Sequence, residues 1–259
     1  MIDALGSPAL VPLLVCAGGG VFVGFIDSIA GGGGLVSLPM LLALGMPPHL
    51  AIGTNKFAAF FSNTVSAWQF YRAGKTQQAL TASCIVPALA GAVCGSSFMV
   101  WLPEDILEPL LLAVLVAMAV FVLVRRDLGA AGRNLPMGSV KMGVAAFCIG
   151  AYDGFAGPGA GTFMVMAFAM MGFDFVIAAG NAKIMAIVTN CTALILLIYW
   201  QQVVYVYAVV LAAALMTGAY FGSRMAIRRG ARFIRIVMLV VTAALIAKVV
   251  ITYGKTYFF

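Results

Sequence analysis

Charged residues are scarce in this sequence. They make up 9% of its 259 residues, whereas hydrophobic residues make up 64% and the mean hydropathy is +1.10. A water-soluble domain cannot cover so much apolar surface with so few polar groups. Apolar runs of about the length of a bilayer span recur from end to end, so the composition predicts a polytopic membrane protein without a separate soluble domain.

The residues and motifs of metal sites and enzymes are also few. There is one histidine, His49, and the five cysteines lie inside apolar runs without a CxxC spacing. Neither set has the spacing of metal ligands. The sequence contains no Walker loop, HExxH motif or nucleophile elbow. We therefore expect no metal, no cofactor and no enzyme activity.

The net charge of +7 raises the question of nucleic-acid binding. The basic residues flank apolar segments, however, as lysine and arginine do at the cytoplasmic ends of membrane spans. We expect the lipid bilayer, and not nucleic acid, to be the partner of these charges. A homo-oligomer is compatible with the sequence.

Ten hydrophobic segments follow one another along the chain. Eight are long enough to cross about 30 Å of hydrocarbon, whereas the second and the seventh reach about half way. The predicted bounds are 10–30, 35–45, 50–71, 79–100, 107–124, 139–156, 161–171, 178–199, 204–226 and 234–253. The first segment follows Asp3 with no preceding lysine or arginine, so we expect a retained helix and not a signal peptide.

The sequence repeats itself after half its length. DSIAGGGG at 27–34 corresponds to DGFAGPGAG at 153–161, at an offset of 126. The offset then becomes 127: AIGTNK at 51–56 matches AAGNAK at 178–183, and Asn63 matches Asn190. The Gly-x3-Gly-Ser sequence at 91–96 likewise matches that at 218–223. Several matches in one register predict an internal duplication.

Charge predicts the orientation of the two halves. If successive segments alternate sides, one face holds Arg72, Lys75, Arg125, Arg126, Arg133, Arg228, Arg229 and Arg232. The opposite loops hold Asp3, His49, Glu104 and Asp105, with Lys255 as their basic residue. The positive-inside rule makes the basic face cytoplasmic and places both termini outside.

With five segments in each half, the second half is inverted relative to the first. The predicted fold is therefore an all-α polytopic membrane protein of two inverted-topology repeats with Gly-rich helix breaks. The first repeat covers 1–126, a cytoplasmic linker covers 127–138 and the second repeat covers 139–259. The alternative is a parallel arrangement of four plus four spans, which would scatter basic residues on both sides.

At DSIAGGGG, GTNK and their counterparts, the sequence resembles the sulfite exporter TauE/SafE family of bacterial membrane permeases. The resemblance spans essentially the whole chain. It implies inner-membrane transport of sulfur-containing anions such as sulfite, organosulfonates or sulfoacetate, or of other small carboxylates. The second half departs from the first, because Pro158 replaces a glycine and Ala182 stands where Asn55 does. A symmetric site is therefore not expected.

Lys56 and Lys183 are the most informative polar residues. Each lies a short way into a hydrophobic segment, where a charged group costs roughly 2.5–3.5 kcal/mol and usually faces a cavity or a partner. At equivalent positions of an inverted repeat, the two would approach each other near the midplane and bind an anion. The alternatives are snorkelling to the surface and structural pairing with Asp27 and Asp153.

Asparagines extend this candidate site. Asn63 and Asn190 each follow a lysine by seven residues, so lysine and amide share a helix face about 10 Å apart. Such a face suits oxyanion binding, although an interhelical hydrogen bond is the alternative. Thr54, Asn55 and Asn181 are weaker candidates beside the lysines.

The glycine runs add backbone N–H groups to the candidate site. Each run precedes a short helix whose first N–H groups are unpaired and lie at the positive end of its dipole. This arrangement favours an anion, with close helix packing as the alternative. The candidate glycines are Gly32, Gly33, Gly34, Gly159 and Gly161.

We expect a secondary transporter of a small anion in which one half moves against the other to expose the site alternately. Asp27 and Asp153 would either bind a coupling proton or hold the structure together. An anion channel and a non-transporting structural membrane protein are the alternatives.

Overall fold

The computed structural model describes residues 10–107, 109–111, 113–114, 117 and 139–258. Within these ranges the regular structure is helical throughout. Most of the predicted fifth segment, the linker over 127–138 and the charged residues Asp3, Arg125, Arg126 and Arg133 lie outside the described residues.

Four helices precede the predicted linker. They are α1 (Leu10–Ala30), α2 (Gly34–Ala43), α3 (Pro48–Arg72) and α4 (Gln78–Trp101), and residues 104–107 are also helical. Pro48 begins α3, where its missing N–H leaves no hydrogen bond unmade. The short second segment is confirmed: α2 has 10 residues, which span about 15 Å.

Four further helices follow the predicted linker. They are α5 (Ser139–Phe155), α6 (Ala160–Met170), α7 (Phe175–Tyr199) and α8 (Tyr205–Phe258). Asp174 caps α7 by accepting a 2.9 Å hydrogen bond from the N–H of Val176. Gly230 has non-helical dihedrals, φ 73° and ψ −167°, and divides α8 between the predicted ninth and tenth segments.

Among the described helical stretches, four are long and apolar enough to cross a bilayer. They are Leu10–Ala30, Thr81–Trp101, Phe175–Tyr199 and Tyr205–Ile234. Large apolar side chains lie exposed along these helices, Leu10, Val86, Trp101 and Tyr199 among them, as expected for surfaces that face lipid. The count of eight long spans stays a prediction.

The helix bounds follow the offset found in the sequence. Both ends of α7 lie 127 residues after the corresponding ends of α3. The start of α8 likewise lies 127 residues after the start of α4. Local structure therefore recurs in register, as the sequence matches predicted.

Tight helix contacts recur in the same register. A side chain on Gly24 of α1 would overlap the backbone oxygen of Leu215 in α8, and one on Gly150 of α5 would overlap that of Ala88 in α4. These residues are equivalent, at offsets of 126 for the glycines and 127 for the oxygens. Helix α1 therefore packs along α8 as α5 packs along α4, each through glycines that let the backbones approach closely.

The equivalent helices α3 and α7 run antiparallel. A Cβ on Gly53, near the start of α3, would overlap the backbone oxygen of Gln202, which follows α7. A Cβ on Gly180, near the start of α7, would overlap the oxygen of Lys75, which follows α3. Each helix thus begins beside the end of the other.

Candidate anion site between two glycine turns

Two glycine turns meet inside the protein. The first joins α1 to α2 and the second joins α5 to α6. Gly31 and Gly157 have φ of 75° and 68°, a left-handed conformation that glycine adopts without strain. A Cβ on Gly161 would lie 2.5 Å from the oxygen of Gly31. The turns therefore touch through their backbones, with no room for a side chain between them.

Lysines and aspartates pair across the two halves of the sequence. Lys56 Nζ lies 2.7 Å from Asp153 Oδ1, and Lys183 Nζ lies 2.7 Å from Asp27 Oδ2. Lys56 is 1% exposed and Lys183 is 2% exposed, so neither ammonium snorkels to the surface. Each lysine is thus buried with the carboxylate that ends the first helix of the other half.

Further hydrogen bonds make the two pairs unlike. Lys183 Nζ also donates to Asn63 Oδ1 at 2.9 Å, and Asp27 Oδ1 accepts from the N–H of Gly33 at 2.9 Å. Asp153 instead accepts from the hydroxyl of Thr189. Asn190 does not repeat the role of Asn63, because its Nδ2 donates to the backbone oxygen of Ala186 at 2.7 Å.

The two ion pairs border an internal cavity of about 40 Å³. Because a water molecule needs about 10–15 Å³ measured in this way, the cavity has room for roughly three waters or a compact ion. Its walls come from α1, α3, α5, α7, the two glycine turns and the first residues of α2 and α6. They are formed by Asp27, Gly31, Gly34, Asn55, Lys56, Ala59, Asn63, Asp153, Ala156, Gly157, Gly161, Lys183, Ala186 and Asn190.

Nine of the predicted site residues line this cavity. They are Asp27, Gly34, Asn55, Lys56, Asn63, Asp153, Gly161, Lys183 and Asn190. Of the rest, Gly32, Gly33 and Gly159 lie in the glycine turns but not on the cavity wall. Gly33 still contributes indirectly, because its N–H holds Asp27.

Thr54 and Asn181 lie away from the cavity and join helices. Thr54 Oγ1 accepts a 3.1 Å hydrogen bond from the N–H of Val204, and Asn181 Oδ1 accepts one of 2.8 Å from the N–H of Gln77. These are equivalent contacts at an offset of 127. Each satisfies a backbone donor just before a long helix, a capping role.

Sequence reasoning missed Thr189 and Ser37. Thr189 precedes Asn190 in α7, and its contact with Asp153 depends on how closely α5 approaches. Ser37 donates to Asn55 Oδ1 at 2.6 Å and to the oxygen of Gly33 at 3.0 Å. A serine or threonine inside an apolar segment could have indicated these two residues. Such hydroxyls commonly form hydrogen bonds within their own helix, however, so they do not identify a site by themselves.

The site is charge-balanced and asymmetric. Two ammoniums face two carboxylates, so each buried charge has a partner. Asn55 lines the cavity and is hydrogen-bonded to Ser37, whereas Ala182 and Met164 occupy the equivalent positions of the second half.

Comparison with known proteins identifies the family of the chain. The profile of the sulfite exporter TauE/SafE family matches residues 16–249. This chain belongs to that family. The TauE/SafE proteins are membrane transporters. Together with the long apolar helices, this membership makes the chain a multi-pass membrane protein. It is also consistent with the expectation that the chain is not an enzyme.

Several curated proteins resemble the chain along most of its length. It is 32% identical to "Probable membrane transporter protein YfcA" of Escherichia coli K12 over 244 residues, 93% of this chain and 90% of the relative. It is 30% identical to a "Probable membrane transporter protein" of Haemophilus influenzae over 252 residues, 96% and 98% of the two chains. No solved structure matches it significantly.

Proposed function

We propose that this TauE/SafE protein is a secondary transporter that moves a small anion across the bacterial inner membrane by alternating access. The observation that carries the proposal is the pair of buried lysine–aspartate contacts at the edge of an internal cavity. Buried charges inside a membrane protein are costly and usually mark a substrate or ion pathway. Two ammoniums supply the positive charge that an anion requires.

The anion binds on the Lys56 side of the cavity. An ammonium has three donors, and in the described part of the chain Lys56 uses one of them, on Asp153. Lys183 uses two, on Asp27 and Asn63. Lys56 therefore keeps more donor capacity for an oxyanion, and Asn55 adds a polar neighbour.

Charge balance couples the anion to a proton. An anion alone would give the site a net negative charge, because the two lysines are already neutralised. A proton on Asp153 removes one carboxylate charge and frees Lys56 for the anion. The groups that face Asp153 are Lys56 and the Thr189 hydroxyl, and the second pair, Asp27 with Lys183, lies across the cavity.

An inverted pair of repeats would allow this site to open alternately to the two sides of the membrane. The antiparallel course of α3 and α7 and the reciprocal glycine contacts support inversion, since equivalent helices of inverted halves run in opposite directions. Helices α3 and α8 lie side by side; α3 ends at Arg72, and α8 carries Arg228 just before its break at Gly230. The basic face is then cytoplasmic and the termini are external.

The substrate class is a small sulfur-containing or carboxylate anion. The family description names sulfite, and a cavity of about 40 Å³ suits a compact oxyanion better than a long sulfonate. Organosulfonates and small carboxylates remain within the proposed class, because they present the same oxyanion to Lys56.

Transport into proteoliposomes tests the proposal. Purified protein is reconstituted, and uptake of sulfite, a short sulfonate and a small carboxylate is measured for the wild type, Lys56→Gln and Lys183→Gln. The control is Lys75→Gln, because Lys75 is exposed after α3 and lies outside the cavity. We expect saturable uptake with counterflow, lost in the two site variants and kept in the control.

Two outcomes would contradict the proposal. Uptake that neither saturates nor shows counterflow would indicate a channel. Equal uptake by wild type and both site variants would remove the two lysines from the transport site.

A further inference from the structure

A basic groove lies between the end of α3 and the part of α8 that precedes its break at Gly230, and it shares no lining residue with the anion cavity. We call it the arginine groove and define it by Trp68, Gln69, Arg72, Tyr220, Arg224 and Arg228, which line a volume of about 510 Å³. The two helices run parallel here, since Ser62 contacts Leu215 and Gln69 contacts Tyr220 and Ser223. The basic residues of the two segments therefore lie on one face of the protein.

Aromatic rings position two of the three guanidiniums. Arg72 Cζ lies 5.8 Å from the ring centre of Trp68, and Arg224 Cζ lies 5.2 Å from that of Tyr220. Arg224 Nη1 also donates to Tyr220 Oη at 2.7 Å. Cation–π contacts of this kind orient a guanidinium without neutralising it.

No carboxylate neutralises the groove within the residues that the structure describes. The ion pairs found there involve His49, Lys56 and Lys183, and none involves Arg72, Arg224 or Arg228. Three positive charges thus face one volume without a negative partner in the described chain. The guanidinium group of an arginine binds two oxygens of a phosphate in bidentate geometry.

The wall of the groove also contains apolar and aromatic side chains. Val65 and Ile227 belong to its wall, and Trp68 and Tyr220 are 59% and 43% exposed. Along α3, Val65 precedes Arg72 by seven residues, which is about 10 Å along the helix. Along α3 the wall therefore passes from apolar Val65 through aromatic Trp68 to charged Arg72, the order in which a phospholipid presents acyl chain, glycerol and phosphate.

We propose that the arginine groove binds the phosphate headgroup of an anionic phospholipid, with the acyl chains lying along α3 and α8. The shared chemistry is a phosphate oxyanion, and the apolar wall selects the lipid over a free phosphate. This site is separate from the anion cavity and does not depend on the transported substrate.

Native mass spectrometry of the purified full chain tests the proposal. Phosphatidylglycerol is titrated onto the delipidated protein, with phosphatidylcholine and soluble glycerol phosphate in parallel arms. The test variant carries Arg72→Gln, Arg224→Gln and Arg228→Gln. The control variant carries Lys75→Gln, Arg229→Gln and Arg232→Gln, which remove the same charge from exposed residues outside the groove.

We expect phosphatidylglycerol to bind more tightly than phosphatidylcholine. The test variant should weaken phosphatidylglycerol binding roughly fivefold per arginine removed, about 100-fold in all. The control variant should lose far less of its affinity for phosphatidylglycerol. Equal losses in the two variants would overturn the proposal, as would equal binding of the two lipids or displacement of the lipid by an equal concentration of glycerol phosphate.

A fluorescence measurement covers the case in which the triple variant fails to fold. Trp101 and Trp200 are replaced by phenylalanine, which leaves Trp68 as the single tryptophan. Phosphatidylglycerol with brominated chains should quench Trp68 more strongly than brominated phosphatidylcholine at the same fraction. Equal quenching by both lipids would overturn the proposal without any change to the arginines.

Discussion

Lys56 Nζ and Asp153 Oδ1 lie 2.7 Å apart although 97 residues separate them in the sequence. Both side chains are almost fully buried. The contact joins α3 of the first half to α5 of the second, and its counterpart joins Lys183 to Asp27. The two halves therefore neutralise each other's buried charges.

A double-mutant cycle on this pair separates charge from packing. Lys56→Gln alone leaves a buried carboxylate uncompensated and should lower the free energy of unfolding by about 3–5 kcal/mol. Asp153→Asn alone should have a similar effect. In the double variant, thermal unfolding in detergent should show that most of the lost stability is recovered. Uptake measurements should show that transport is not recovered. Additive losses in the cycle would show that the pair is not coupled.

The proton-coupling role of Asp153 has its own test. Wild-type proteoliposomes should accumulate the anion when the compartment from which it is taken is made more acidic. Asp153→Asn fixes the residue in an uncharged form and should abolish accumulation driven by the pH gradient while leaving counterflow. Accumulation that is unaffected by the gradient in the wild type would rule out the coupling.

The contact between the glycine turns should tolerate no side chain. Gly31→Ala places a Cβ against Gly161 at a φ of 75°, so it should separate the turns and abolish transport. The control is Gly18→Ala, since nothing lies within 4 Å of a Cβ there and the residue is inside a helix. That substitution should stabilise the protein by about 0.5–1 kcal/mol. Uptake by Gly31→Ala at the wild-type rate would contradict the role of the turns.

Backbone strain after α7 offers a stabilising substitution. Gln201 has φ 56°, whereas its equivalent after α3, Gly74, has φ 65°. A left-handed conformation costs a non-glycine residue about 1–2 kcal/mol. Gln201→Gly should therefore raise the melting temperature, and Gly74→Gln should lower it. Opposite shifts would mean that side-chain contacts of Gln201 outweigh the strain.

The helices were predictable from the sequence because apolar length determines them. The short segments appear as α2 and α6, and the offset of 127 recurs in the bounds of α3 and α7. The pairing of each lysine with its aspartate was harder to predict from the sequence. The sequence allowed each lysine to pair with an aspartate, but it did not determine which half supplied the carboxylate.

The details of the site depend on contacts between distant segments. Thr189 and Asn190 are adjacent polar residues, yet Thr189 reaches Asp153 while the Nδ2 of Asn190 bonds its own helix. The rotation of α7 against α5 decides between them, and no local pattern encodes that rotation. Thr54 and Asn181 were misleading for the same reason, since a polar residue beside a lysine need not share its face.

The glycine contacts also determine which helices can move together. Because glycines bring α1 close to the backbone of α8 and α5 close to that of α4, each pair should move as one rigid block. Both blocks combine a helix from each half of the sequence. Under the proposed alternating access, each moving unit is therefore built from both halves of the sequence, and deleting either half would remove one helix from both blocks.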